Sequence, residues 1–287
     1  MIFLLKRFFF FIFIYFLLIV KIQTIETKSD SAIILDVNSN TILFEKNVDL
    51  KQGPASMSKL MLVYMVFERL QNNTLSLDQE FLVSKKAWKY GGSKMFVNVG
   101  DMVSIIDLLK GVIIQSGNDA CIVLAEGLSG TEDNMVEEMN SKRIELGLEG
   151  SNFTNVTGWP NQEHYMTLRD IAHLSKLIIT KFPEYYYLFS INEFTYNDIR
   201  QFNRNKLISI DGFDGLKTGR TTQSGFGLAA SSKKNNRRIV SVVNGLNSDK
   251  ERRNETKKLV NWAFREFVTL DLYKAEDTIQ LAKVWLG

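Results

Sequence analysis

Ser56 and Lys59 stand three residues apart at the head of an apolar run, Lys59-Leu-Met-Leu-Val-Tyr-Met-Val-Phe-Glu-Arg-Leu70. The run reads as a helix, and Gly53-Pro54 punctuates the chain just before it. Residues three apart on a helix share a face, so the hydroxyl and the amine can meet. A helix N-terminus also offers free backbone N–H groups and the positive end of a dipole, which suit a nucleophile that develops an oxyanion beside it. A serine hydroxyl with an amine in reach is a nucleophile with its own base. The tetrad alone is weak evidence. A chain of this length carries roughly one by chance, and a second copy is present at Ser231-Ser-Lys-Lys234, in a polar stretch that reads as a turn. Taken singly, the plainer reading of Ser56 is an N-cap and of Lys59 a solvated cation.

Two further motifs change the balance. Ser116-Gly117-Asn118 and Lys217-Thr218-Gly219 each occur once in the chain. Alone, the first is an ordinary loop between helices and the second a strand end. In this order and at this wide spacing, the three resemble the signature of serine β-lactamases and penicillin-binding proteins. Longer strings narrow the resemblance. Ala55-Ser-Met-Ser-Lys-Leu-Met61, Gln115-Ser-Gly-Asn-Asp-Ala120, Asn203-Arg-Asn205 and Asp214-Gly-Leu-Lys-Thr-Gly219 are similar to the exported serine D-Ala-D-Ala carboxypeptidases that trim peptidoglycan stem peptides. The resemblance covers about residues 30 to 270.

The resemblance implies a role for each motif. Ser56 is the nucleophile and Lys59 its base, which must be a neutral amine; burial and a nearby cation, Lys217, would both lower its pKa. Ser116 relays a proton toward the leaving amine. Asn118 holds the peptide backbone by both ends of its amide. Lys217, Thr218 and Gly219 lie on an edge strand, where Gly219 admits the substrate backbone and Thr218 binds the terminal carboxylate. The N–H groups of Ser56 and Arg220 form the oxyanion hole. Position 220 departs from the family, whose members often carry His or an aromatic there. Side chains 218 and 220 share a strand face, so Arg220 is a candidate second ligand for the carboxylate. The expected partners are stem peptides and β-lactam antibiotics, with no cofactor, metal or nucleic acid. A DD-endopeptidase would use the same residues, and a noncatalytic wall-binding scaffold would share the fold. A β-lactamase is disfavoured because no convincing Glu-x-x-x-Asn-type deacylation segment stands between Asn118 and Lys217.

These residues need a frame. Ala32–Asp36 and Thr41–Glu45 read as a hairpin. Helices are expected over 104–114, 120–128, 131–146, 167–180 (with Thr167 as N-cap) and 249–267. Residues 225–231 and 238–244 read as paired strands around a charged, solvated tip at 233–238. Strands at both ends with helices between predict an α/β (α+β) fold, one mostly antiparallel sheet flanked by helical layers; the resemblance implies the DD-peptidase/β-lactamase-like arrangement.

Composition sets the outer limits. The chain has 287 residues, 45% hydrophobic and 23% charged, with a net charge of +3. That supports a full core and gives no nucleic-acid signature. The single cysteine, Cys121, sits in an apolar helical run and reads as a core thiol. The two histidines, His164 and His173, read as surface or helix residues, and Trp159 as a packed loop aromatic. Lys6 and Arg7 precede thirteen apolar residues, Phe8–Val20, the length of a signal-peptide core. Residues 1–24 are therefore expected to be a signal peptide or an uncleaved anchor, placing the domain in the periplasm or envelope, with membrane association through the N-terminus. Residues 25–267 form the expected catalytic domain. Residues 268–287 read as the start of a β-rich second domain, incomplete as the sequence stands.

Overall fold

The computed structural model describes residues 25–270 and residue 278. The expectations for residues 1–24, and for all but residues 268–270 and 278 of the C-terminal segment, fall outside them. No helix among the described residues is long and apolar enough to cross a membrane.

Strand β1 (Ser31–Asp36) forms the expected hairpin with β2 (Thr41–Lys46). All six β1 residues are buried, so both faces of this strand are covered. Successive side chains point to opposite faces. Ile33 and Leu35 accordingly enter one apolar cluster, and Ala32 and Ile34 another. The second neighbour of β1 comes from the far end of the chain. β9 (Arg237–Leu246) pairs antiparallel with it, Ala32 opposite Val243 and Asp36 opposite Ile239. β8 (Gly225–Lys234) and β7 (Phe213–Thr221) complete a five-stranded sheet of order β2-β1-β9-β8-β7. β7 is thus an edge strand, as the sequence led us to expect.

One face of the sheet packs on a C-terminal helix (Asp249–Glu266), through Leu259, Val260 and Ala263. Ser248 caps it, its Oγ accepting from the Glu251 N–H at 3.1 Å. The other face packs on the remaining helices. The central one is α1 (Lys59–Gln71), with Leu60 through Phe67 all buried. It follows a 3₁₀ turn, Ala55–Ser58. α2 (Lys85–Lys89), α3 (Ile105–Lys110), α4 (Asn118–Ser129), α5 (Glu132–Glu145) and α6 (Leu168–Lys181) surround it; the helix on the opposite face is α7. Two minor hairpins, β3 (Glu80–Leu82) with β4 (Met102–Ser104) and β5 (Glu193–Tyr196) with β6 (Ile199–Phe202), lie outside the sheet.

Several expectations are corrected. Ser231-Ser-Lys-Lys234 is no turn but the end of β8, with Ser231 and Ser232 fully buried. The charged tip is solvated at Lys233–Asn236, whereas Arg237 and Arg238 fold back onto Asp36 and Asp214. His164 is buried, while His173 is a half-buried residue of α6. Thr167 caps α6 as expected, at 3.1 Å from the Asp170 N–H, and the Asp170 carboxylate accepts from Ser151 at 2.6 Å.

Candidate active site

The 3₁₀ turn sets Ser56 on the wall of a cleft, half-buried, and places Lys59 at the first position of α1. Lys59 is fully buried. Its Nζ lies 2.8 Å from Ser56 Oγ, 2.8 Å from Asn118 Oδ1 and 2.6 Å from the Thr157 carbonyl. The last two atoms can only accept. A neutral amine has two N–H groups, and these two acceptors use both. The remaining lone pair then faces the serine hydroxyl, the orientation a base requires. Burial holds the Lys59 pKa down to about 8, with a smaller push from the Arg204 cation. The nearby cation expected from sequence was Lys217. Lys217 is itself fully buried and held well below the usual lysine range, first by burial and then by Lys59.

Two glycines grip the turn before the nucleophile. Ala55 has φ of 49°, in the left-handed region. A Cβ on Gly158 would meet the Ala55 carbonyl oxygen at 2.0 Å, and one on Gly219 would meet the Pro54 carbonyl oxygen at 2.8 Å. Gly219 therefore makes room for the nucleophile's own turn. This position of β7 packs against residues 54–57 and also borders the cleft beside Ser56.

Ser116 follows a single π-helical turn, Gly111–Gln115, and is itself left-handed at φ 65°, ψ 33°. Its Oγ is buried with no partner. Asn118 opens α4. Its Oδ1 accepts from Lys59 and its Nδ2 donates to the Gly91 carbonyl at 2.8 Å. The amide is thus committed at both ends to the protein, leaving one N–H and one lone pair for any ligand. Next to it, the Asp119 carboxylate accepts from the N–H groups of Met95 and Phe96 at 2.8 and 2.9 Å, which ties segment 93–97 to the motif.

Thr157 reaches Lys59 because Asn155 knots the loop. Its Oδ1 accepts from the N–H groups of Thr157, Gly158 and Trp159 at 3.1, 2.8 and 3.0 Å. Trp159 is 49% exposed at the rim and meets Tyr90 edge to face, so it is no packed loop aromatic.

Ser56, Ser116, Thr218, Gly219 and Arg220 line one cleft of about 380 Å³. Arg220 lies over the Phe226 ring at 4.7 Å. Two arginines not singled out from sequence join them, Arg204 and Arg252. Arg204 had a signal in the string Asn203-Arg-Asn205. Asn203 donates to the Ile191 carbonyl at 3.0 Å and Asn205 to the Gly215 carbonyl at 2.9 Å, so the two amides pin the arginine between them at the cleft. Arg252 comes from α7, which no short motif marks. Asp249 also lines the cleft and pairs with Arg252, so Arg204, Lys206 and Arg220 leave it net cationic, an environment that favours an anion. Among the described residues no His, Cys, Asp or Glu group is arranged to hold a metal ion. Cys121 is fully buried behind Lys59, its thiol pushed up to about 12 by burial.

The sequence model of the family described as D-alanyl-D-alanine carboxypeptidase matches residues 19–248. The chain is 41% identical over 276 residues to the D-alanyl-D-alanine carboxypeptidase DacC of Escherichia coli (strain K12), an alignment covering 92% of this chain and 69% of that protein. The crystal structure of penicillin binding protein 5 from Haemophilus influenzae is 38% identical, with a TM-score of 0.82 over 84% of this chain and 72% of that one. Penicillin-binding protein D2 from Listeria monocytogenes, in its ampicillin-bound form, is 27% identical, with a TM-score of 0.77 over 84% of this chain and 99% of that one.

Proposed function

We propose that this chain, which belongs to the D-alanyl-D-alanine carboxypeptidase family, works through an acyl-enzyme on Ser56. The observation that carries the reading is the contact set of Lys59, whose two carbonyl-type acceptors leave its lone pair to Ser56. Ser56 Oγ attacks the carbonyl of the penultimate D-Ala as its proton passes to Lys59. The C–N bond breaks, the last D-Ala leaves, and Ser116 delivers the proton its amine needs. Water then attacks the ester and frees Ser56.

The substrate's terminal carboxylate fits the cationic end of the cleft, beside Thr218 and Arg220. Docked there, it favours the charged form of Lys217. A charged Lys217 in turn disfavours charge on Lys59, so binding itself prepares the base. The N–H groups of Ser56 and Arg220 are the proposed oxyanion hole. β-Lactams acylate the same serine, a reading supported by similarity to a protein described with ampicillin bound.

Residues 25–267 are the proposed catalytic unit, supported by a sheet that joins β1 to β9 and is covered by α7. Residues 1–24 are the proposed export segment and membrane attachment. A reporter fused after residue 30 should be active outside the cytoplasm. The reaction is tested by incubation with a stem pentapeptide and, separately, a cross-linked stem dimer. Free D-Ala from the pentapeptide is expected. Cleavage of the dimer with the pentapeptide left intact would assign an endopeptidase.

A further inference from the structure

A second cleft, of about 340 Å³, opens beside the Ala55 turn, with neither Ser56 nor Lys59 in its lining. Its walls are the segment leading into Ser56 (51–55), the loop 158–165, and the turn 221–224 that follows Arg220. It therefore adjoins both strands of chain that build the catalytic cleft, and the reaction described above uses none of its side chains.

Two buried hydrogen-bond donors in its lining have no acceptor. His164 is 2% exposed, and its Nδ1 accepts from the Thr154 N–H at 3.1 Å. The ring proton is therefore on Nε2, which is buried and unpaired. Gln52 is oriented in the same way. Its Oε1 accepts from Asn244 at 2.9 Å, which leaves its Nε2 buried without a partner. A buried donor without an acceptor is destabilising, because it has given up water and gained no partner. Two around one cleft call for a ligand that brings acceptor oxygens. The rest of the lining narrows its chemistry. Asp30 and Lys51 offset each other in charge, the carboxamides of Gln162 and Gln223 are exposed on the rim, and Trp159 offers a half-exposed aromatic face. That combination suits a neutral, polar ring bearing a carbonyl.

We infer that this cleft is a subsite for an N-acetylated sugar of the glycan strand from which the stem peptide hangs. The inference rests on the carboxypeptidase reading, since only a glycan-borne substrate would span both clefts. The sugar's acetamido oxygen accepts from His164 and Gln52, and its hydroxyls meet the glutamines.

The test compares one stem pentapeptide in two forms, free and attached to an N-acetylglucosaminyl–N-acetylmuramyl disaccharide. The unaltered protein should show a kcat/KM at least about fivefold higher on the attached form, the worth of one hydrogen bond. In the double variant Gln162→Ala/Gln223→Ala, which removes the hydroxyl contacts and keeps the acetamido ones, that preference should drop severalfold, with free-peptide hydrolysis and penicillin acylation unchanged. In parallel, the His164 ring ¹⁵N signals should shift saturably with N-acetylglucosamine trimer and stay fixed with a glucose trimer. Equal rates on both forms, equal loss of both in the variant, a preference untouched by it, or an unmoved His164 signal would each overturn the subsite. Absence of free-peptide hydrolysis would instead overturn the carboxypeptidase reading.

Discussion

Ser56–Lys59 and Ser231–Lys234 share one pattern and nothing else. The first pair lies on a 3₁₀ turn running into a helix, where residues three apart face the same way, and its side chains touch at 2.8 Å. The second lies on β8, where residues three apart point to opposite faces. Ser231 is buried and accepts from Arg238, while Lys234 is exposed, 5.2 Å from the Phe264 ring. A serine and a lysine can serve as nucleophile and base only where the backbone turns them together and burial lowers the lysine's pKa.

The largest expected effect breaks the comparison outright. Ser56→Ala should lower turnover on the order of 10⁶-fold, as loss of a serine nucleophile does elsewhere. Ser231→Ala should leave turnover near normal in any variant that folds. Mass spectrometry of penicillin-treated protein should place the adduct on the peptide containing Ser56; an adduct on Ser231 would reverse the assignment. Next comes the base. Lys59→Arg cannot deprotonate and should cost about 10²–10⁴ in acylation, whereas Lys234→Arg should change little. Near-normal acylation of penicillin by the Lys59 variant would remove it from that role.

Arg220→Ala should cost about 1.5–3 kcal/mol in kcat/KM on peptides with a free carboxylate, and little where that carboxylate is amidated. Equal losses on both would mean that Arg220 does not hold it. The pH dependence sharpens the contrast between the two lysines. With the Lys59 pKa lowered to about 8, kcat/KM for acylation should fall roughly tenfold per pH unit below that value and level off above it. The Lys234→Arg variant should follow the same curve.

The smallest effect is on stability. Burial holds His164 near pKa 4, below its ordinary value of 6.5. The unfolded chain therefore takes up the proton first as pH falls. The stability associated with the neutral ring is full above about 6.5 and is lost as pH drops through 4. Denaturant midpoints measured across this range should fall less steeply in His164→Asn than in the unaltered protein.

The candidate catalytic side chains were legible because each belongs to a short string, and the sheet because apolar runs at both ends needed partners. Other features left no such mark. The Thr157 carbonyl that fixes Lys59 is a backbone atom with no residue signature, and Asn155, which presents it, looks like any loop asparagine. Arg252 reaches the cleft from α7, 33 residues beyond Gly219, and only the fold brings it there. The β5–β6 hairpin did carry a signal, since Asn197 and Asp198 both have positive φ, as a tight two-residue turn requires. Its strands are short and mostly exposed, so no apolar alternation announced them.

The pairing of β1 with β9 has a consequence in time. Ser31 meets Asn244, so the first strand of the sheet is made long before its inner neighbour. At about 5–20 residues per second, a ribosome needs roughly 10–40 s to close that gap. Throughout that interval the inner edge of β1 lacks its partner, and for most of it β7, which seats the turn at Ala55, has not yet been made. Ser56, the proposed nucleophile, is encoded early in the gene, but the strand that seats its turn is made only near the end of synthesis.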